Sequence, residues 1–379
     1  MGRHKSDVEI RLREYLRRPE RRVGDKLPGE RALAAALGVG RTALRPALEA
    51  LEAEGVIRRQ PRSGAFLASV PAPAGRGALL AVVAPLQGMG EERPAGDPSW
   101  IHRVISAFER TANVAGASVT LYDQSPLAAD PCSVKDLVRR AAEDGADAVI
   151  VFHALGERGK IAHALAILHD LGVPSVVISS RTYPGLASQV YFDSGWGSYL
   201  AVRHLLSYGH TRIGFAGGAS GHEWVQDRRR GYQAALEASD IAPEPLWEFL
   251  PSDGEAEAFA DDGAFAVRQW LALPAAERPT AIVAANDQIA LSVLTEAASH
   301  GLSAPADFSL IGFDNGAEAL RIGLTTVERP TEALGEAIAR VTLERLAAGP
   351  SADSVTVRLR PVLIQRKTVG SPASSVKNK

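Results

Sequence analysis

The sequence predicts an α/β protein made of an N-terminal winged helix-turn-helix followed by a two-lobed, doubly wound parallel-sheet domain. Three observations carry this prediction. Residues 1–69 hold three segments of helical period and then two short strand-like runs. From residue 78 onward, short apolar runs alternate with helical stretches in two successive series. Between the two regions, "ASVPAPAGRG" places Pro71, Pro73, Gly75 and Gly77 where neither helix nor strand continues. The implied boundaries are a first domain over 1–69, a linker over 70–77 and a second domain over 78–369. A tail over 370–379, "GSPASSVKNK", has almost nothing to bury and is expected to be disordered.

In the first domain, helical spacing covers roughly 6–18, 29–37 and 41–54, each segment bounded by glycine or proline. The third, "GVGRTALRPALEALEAEG", puts Leu44, Leu48 and Leu51 on one face and Arg41 and Arg45 on another. Pro46, at the sixth helical position, lacks the N–H of a helical bond and predicts a kink. "VIRRQPRSGAFLA" then reads as a hairpin turning at "PRSG". Three helices and a hairpin form a winged helix-turn-helix. Its third helix packs by the leucines and enters a major groove by its N-terminal end, so Arg41 and Arg45 can reach base edges or phosphates. Arg58, Arg59 and Arg62 suit phosphate contacts, or a solvated wing face; Arg31 could simply pair with Glu30 or Glu49.

Charge points the same way. Of 42 Lys+Arg and 44 Asp+Glu, the first 69 residues hold 15 and 9, leaving 27 and 35 for the rest. A basic head on an acidic body is a footprint of nucleic-acid binding. One cysteine, Cys132, rules out an internal disulfide framework and a multi-cysteine metal site. The N-terminal stretch lacks the apolar centre of a secretion signal and no run is long enough to span a membrane, so a cytoplasmic protein with no membrane partner is expected.

In the second domain, "ALLAVVAP", "ASVTLYD", "ADAVIVF" and "VPSVVISS" read as strands, with helices around 100–115, 133–144 and 160–171. A second series follows in "SQVYFD", "TRIGFAG", "LWEFLP", "TAIVAA" and "FSLIGFD". Two such lobes imply a cleft, because ligands of open parallel sheets bind beyond the carboxyl ends of the strands. Arg228, Asn286 and Asp314 stand at such ends or beside them. Together they offer donors and acceptors to a polyhydroxy ligand. Each has a plainer reading: a helix-surface ion pair for Arg228, a helix cap for Asn286 and a turn for Asp314. The helix cap is assigned to Asp287 and the ligand to the other three.

Residues 24–68, from "GDKLPGER" through "GRTALRPALEALEAEGVI" to "RSGAFLA", resemble the DNA-binding domain of GntR-family regulators. That resemblance implies DNA contacts by Arg31, Arg41, Thr42 and Arg45, with Gly64 at the wing tip near the minor groove. Gly40 replaces the family's capping serine. The stretches "GWGSYLAVRHLLSYGHTRIGFAGG", "RRRGYQAAL", "TAIVAANDQIALSVLTEAASHGL", "FSLIGFDNG" and "LTTVERPTEALGEAIARVTLERL" resemble, in order, the motifs of the LacI/GalR effector domain, itself similar to periplasmic sugar-binding proteins. A head of one kind on an effector domain of the other is the arabinose-repressor arrangement. In the first lobe the resemblance implicates Trp100 and Arg181, and sugars stack on aromatic faces, making Phe192, Trp196 and Trp224 candidate walls. Ser180 and Ser194 replace the family's usual aspartate and asparagine.

Other classes fit less well. No GxSxG, HExxH or P-loop pattern occurs, and the nine histidines show no ligand spacing, so neither catalytic residues, nor a metal, nor a cofactor is expected. A GntR-headed pyridoxal enzyme would be longer and carry a cofactor lysine; a transport protein would carry a secretion signal instead of a basic head. The expectation is a homodimeric repressor, binding a palindromic operator in double-stranded DNA and answering to a small-molecule effector, a carbohydrate by class.

Overall fold

A computed structural model of the chain describes residues 7–16, 21, 24–53, 55–60, 64–68, 77–86, 100–124, 132–152, 158–218, 223–251, 259–349 and 352–372. Most of the expected linker over 70–77, the tail beyond 372 and Arg62 lie outside these residues.

The first domain comprises α1 (Asp7–Leu16), α2 (Glu30–Leu37), α3 (Arg41–Ala53), β1 (Ile57–Gln60) and β2 (Gly64–Leu67). Its core gathers Leu12 and Leu16 of α1, Leu33 of α2, Leu44, Leu48 and Leu51 of α3, and Ile57 and Leu67 of the hairpin. Full burial of each such side chain contributes about 1.5 to 3 kcal/mol. α2 stops at Gly38, whose left-handed backbone (φ 64) returns its N–H to the carbonyls of Ala34 and Ala35. α3 continues through Pro46 without a break. Thr42 and Pro46 are both exposed, so water can serve the carbonyl that the missing N–H leaves behind. β1 and β2 pair antiparallel, and the segment Gly24–Leu27 runs along the free side of β2 through Gly24 N–H to Leu67 O, Leu67 N–H to Asp25 O and Leu27 N–H to Ala65 O.

The rest of the chain builds two six-stranded sheets. The first series supplies β3 (Leu79–Ala84), α4 (Trp100–Val114), β4 (Ser118–Asp123), α5 (Val134–Glu143), β5 (Ala148–Phe152), α6 (Arg158–Asp170), β6 (Ser175–Ile178) and β7 (Ser188–Phe192). The second supplies α7 (Ser194–Ser207), β8 (Ile213–Ala216), α8 (Glu223–Glu237), β9 (Glu248–Phe249), α9 (Phe259–Ala272), β10 (Ala281–Ala284), α10 (Asp287–Ser299), β11 (Ser309–Asp314), α11 (Ala317–Ile322) and β12 (Thr325–Glu328). α12 (Thr331–Ala348), β13 (Thr356–Leu359) and β14 (Val362–Ile364) complete the order. One sheet runs β13-β7-β6-β5-β3-β4 and the other β14-β12-β11-β10-β8-β9. Every residue of β5 and β10 is buried, as expected of strands covered on both faces.

Several sequence expectations need correction. β7 pairs with β6 and so belongs to the first sheet, not to the second series in which its place in the sequence puts it. β12, β13 and β14 are strands that the sequence reading does not assign, while "LWEFLP" yields a strand of two residues. The units are interleaved: elements up to Val190 join Glu332–Val357 in one, and Tyr191–Thr331 joins the residues from Arg358 onward in the other. Gly370, at the start of the expected tail, is held by Ser309 and His210. Gly77, at the end of the expected linker, packs so closely on Gly116 that a Cβ would lie 1.3 Å from that residue's carbonyl oxygen.

Candidate functional site

The head presents its candidate residues together with their exposure. Arg41 and Thr42 are the first two residues of α3, Arg31 the second of α2, and all three are exposed. Among the described residues, neither Arg31 nor Arg41 has an acidic partner within 4.0 Å. The leucine face of the same helix is buried, so sequence spacing alone turns the arginines outward. Arg45, 60% exposed, reaches Glu30 at 3.2 Å, which ties α3 to the start of α2. The pairing with Glu30 considered for Arg31 therefore belongs to Arg45. Such an exposed pair contributes about 0 to 1 kcal/mol and yields readily to a phosphate. Arg59 faces Glu52 at 3.4 Å, while Arg58 and Gly64 are exposed.

In the second unit, the carboxyl ends of β10, β11 and β12 meet the start of α8. Arg228 on α8 is 3% exposed, with its guanidinium carbon 3.6 Å from the Phe313 ring centre and 4.8 Å from that of Trp224. It donates to the Ala285 carbonyl, and to Asp314 Oδ1 at 3.4 Å. Its Nε is buried without a hydrogen-bond partner among the described residues. Burial pulls its pKa down to about 10, against the opposing pull of Asp314, so it stays charged at neutral pH. The same Oδ1 lies 3.2 Å from Arg329, a residue that follows β12 and stands 5.5 Å above the Phe192 ring. Asp314 is a quarter exposed, and among the described residues its Oδ2 has no partner.

The loop carrying Asp314 is held from behind. Asp314 and Asn315 have φ of 122 and 54, and a non-glycine residue at the first of these values costs on the order of 1 to 3 kcal/mol. Asp287, 6% exposed, accepts from Gly316 N–H at 2.8 Å and from the Thr326 hydroxyl at 2.6 Å. Asn315 donates to Glu328 at 2.9 Å and accepts from Arg366. Gly312 makes room for Asp287: a Cβ there would stand 2.3 Å from its Oδ1. Burial, and next the charge of Asp314, push the Asp287 carboxyl well above the usual range.

The structure thus gathers Arg228, Asp314 and Phe192 around Arg329 and treats the other candidates differently. Asn286 is the cap of α10, its side chain accepting from Ile289 N–H at 2.7 Å; the cap is not Asp287, which is the buried acid behind the loop. Trp224 lies beneath Arg228, whereas Trp196 stacks on Tyr199 with ring centres 5.4 Å apart and Arg360 at 5.0 Å. Ser194 is a buried first residue of α7. Trp100 and Arg181 belong to the first unit: Trp100 opens α4 with its ring 6.3 Å from that of Phe152, and Arg181 follows β6 with its N–H on Ser179 Oγ at 3.0 Å. Sequence reasoning missed Arg329 and Asp287 as site residues. Because β12 is half threonine, no apolar run marks the strand end beside Arg329, and sequence spacing gives no signal for it.

Comparison with known proteins matches residues 4–67 to bacterial regulatory proteins of the gntR family and residues 202–369 to the periplasmic binding protein-like domain. The chain is 32% identical over 209 residues to the HTH-type transcriptional repressor PurR of Yersinia pestis bv. Antiqua (strain Antiqua), an alignment covering 54% of this chain and 59% of that repressor. The chain therefore spans little more than half the length of the relative. A LacI transcriptional regulator from a Rhodococcus species superposes with a TM-score of 0.62 at 26% identity, over 78% of this chain and all of that one. A LacI-family regulator from Enterococcus faecium, solved with bound ribose, shares the fold with a TM-score of 0.58 at 23% identity, over 77% and 99% of the two chains. These relatives are transcriptional regulators, not enzymes. No helix of the described residues is long and apolar enough to cross a membrane.

Proposed function

We propose that this chain, in which a GntR-type DNA-binding head is joined to a periplasmic-binding-protein-like unit with LacI-family structural neighbours, is a ligand-responsive repressor of transcription. The observation that carries the reading is the coexistence of two polar surfaces in one chain. One is the exposed N-terminal end of α3 with Arg41, Thr42 and Arg45. The other is the strand-end cluster in which Asp314 keeps one carboxylate oxygen uncommitted among the described residues, between two arginines.

Residues 1–69 would serve as the head, 70–77 as the linker and 78–369 as the effector-binding and dimerising domain. In the head, Arg41, Thr42 and Arg45 would contact the major groove, with Arg31 on phosphate and Gly64 near the minor groove. One winged helix makes few phosphate contacts, so a homodimer reading a palindromic operator in the cytoplasm follows. In the second unit, Asp314 would accept sugar hydroxyls while Arg228 and Arg329 donate; Phe192 would offer a ring face, and Asn286 the amide N–H groups left over from capping. Trp100 and Arg181 are the candidates in the first unit. A polyhydroxy ligand suits such a mixture because each hydroxyl both donates and accepts; the ribose of the Enterococcus faecium protein is a ligand of that chemistry.

The test begins with selection of bound sequences from a random duplex pool by the full chain. Arg41→Ala or Arg45→Ala should then lower affinity for the selected site by about 1 to 3 kcal/mol at fixed salt. A panel of sugars and sugar phosphates, screened by thermal shift, should yield a compound that alters this DNA binding. No selected sequence from the pool, or equal affinity in both variants and the parent, would refute the DNA-binding assignment.

A further inference from the structure

We infer that Lys26 is an additional DNA-contact residue, holding a backbone phosphate at the wing tip from a segment that precedes the helix-turn-helix; this rests on the DNA-binding reading above. Lys26 stands opposite Phe66 of β2, and Phe66 stands opposite Arg58 of β1. Residues directly opposite one another share a face of a sheet. Ile57 and Leu67, the next pair along, are buried, so Arg58, Phe66 and Lys26 form a row on the face turned from the core.

Two residues along β2 on that same face lies Gly64, opposite Gln60. A Cβ built on Gly64 would sit 3.3 Å from Lys26 Cε. The lysine stem therefore runs diagonally from its place beside Phe66 to the end of the hairpin and sets its ammonium next to Gly64. The φ of 103 at Gly64 disfavours any side chain, and the absence of one leaves the lysine stem room to lie against this position. Lys26 is exposed and makes no hydrogen bond or ion pair among the described residues, so the charge has no internal partner to neutralise.

Chemistry narrows the partner to phosphate. A lysine ammonium is a compact charge on a flexible stem, and beside a minor groove, where the O6 and N7 acceptors of guanine are on the far side of the base pair, the acceptor it meets is a phosphate oxygen. A wing tip near the minor groove has the phosphates of both strands within reach of such a stem. Lys26 would thus add affinity without adding sequence preference.

The experiment uses the full chain, a fluorescent mixed-sequence duplex and a KCl series. Lys26→Gln should flatten the slope of log affinity against log salt by about 0.9 for each phosphate that the variant leaves unneutralised, weakening binding most at low salt. Lys26→Arg should keep the parent's slope, and both variants should melt with the parent. If Lys26→Gln matches the parent in slope and affinity while Arg41→Ala still weakens binding to its selected site, this inference is overturned and the DNA-binding reading stands. Loss of binding together with a lowered melting temperature, or a failure of arginine to preserve the slope, also overturns it. If neither the parent binds the duplex nor Arg41→Ala changes any affinity, the underlying reading has failed and the Lys26 assignment falls with it.

Discussion

Asp287→Asn should make the second unit more stable at alkaline pH and remove a pH dependence that the parent shows. The buried Asp287 carboxyl is pushed up to about 7, so the folded state holds its proton more tightly than the unfolded state does. Stability then falls as pH rises from the ordinary carboxylate range toward 7, at about 1.4 kcal/mol per pH unit while the folded acid is protonated and the unfolded one is not. Between pH 5 and 7 the parent should lose roughly 2 to 3 kcal/mol relative to the variant by this route. Asparagine can occupy the site: its carbonyl accepts from Gly316 N–H, and its amide donates to Thr326 Oγ, whose hydroxyl turns to make way. Trp196, Trp224, Trp247 and Trp270 all lie in the second unit, so urea unfolding followed by tryptophan fluorescence reads that unit. The two proteins should unfold alike near pH 4 and diverge by pH 8, with the variant the more resistant. Parallel curves across this range would refute the argument that Asp287 is buried at the expense of its charge.

Three further outcomes are expected. Arg228→Ala should destabilise the second unit by about 3 to 5 kcal/mol, and Arg228→Lys should not restore it, because both remove the planar group between Phe313 and Trp224; urea midpoints equal to the parent's would contradict the burial described. Gly231→Ala should cost about 1 to 3 kcal/mol or more, since a Cβ would lie 1.9 Å from the Gly195 carbonyl oxygen where α7 and α8 cross, and an unchanged melting temperature would rule that close approach out. Burial lowers the pKa of His210, whose ring meets Thr280, Ser309 and the Gly370 carbonyl. Its stabilisation is complete above the unfolded value of about 6.5 and is lost as pH falls toward the lower folded one, opposite in sign to Asp287. His210→Phe should remove that acid sensitivity and cost about 1 to 3 kcal/mol by leaving buried polar groups unpaired; unfolding that loses stability toward acid as steeply as the parent's would refute it.

Sequence periodicity locates the elements whose signal is local. α2 and α3 begin and end within a residue or two of expectation because glycines stand at both boundaries. β3, β5 and β10 are continuous apolar runs, and so is β6 after Ser175, which is what burial on both faces demands. β12 escapes notice because two of its four residues are threonines, buried only because Thr325 and Thr326 find partners in Arg366 and Asp287. β13 and β14 are short sheet edges around Pro361; β13 is broken by Arg358, and the apolar run of β14, three residues long, is too brief to stand out. Sheet membership of β7 is a long-range fact that spacing does not encode. At the candidate site, Arg228 and Asp314 stand out as charges beside apolar strands, but the cap expected of Asp287 is made by Asn286, and Asp287 is the buried acid behind the loop. Two adjacent polar residues at a helix start look alike in sequence, and backbone direction decides which one turns back onto the helix.

The return of residues 332–357 to the first unit sets a timetable for making the protein. Ser188 Oγ accepts from Val355 N–H, a partner 167 residues further along the chain, and Gln189 N–H donates to the Val355 carbonyl. A ribosome adding about 5 to 20 residues per second delivers that partner on the order of 10 to 30 s after β7 emerges. Throughout that interval β7 is an open edge of Val and aromatic residues, ready to pair with any nascent strand beside it. The second sheet's β8 to β12 are synthesised inside the same interval and can close on themselves first. Slowing translation after residue 331 should therefore lower the soluble yield, whereas an equal pause made before β7 is synthesised should not.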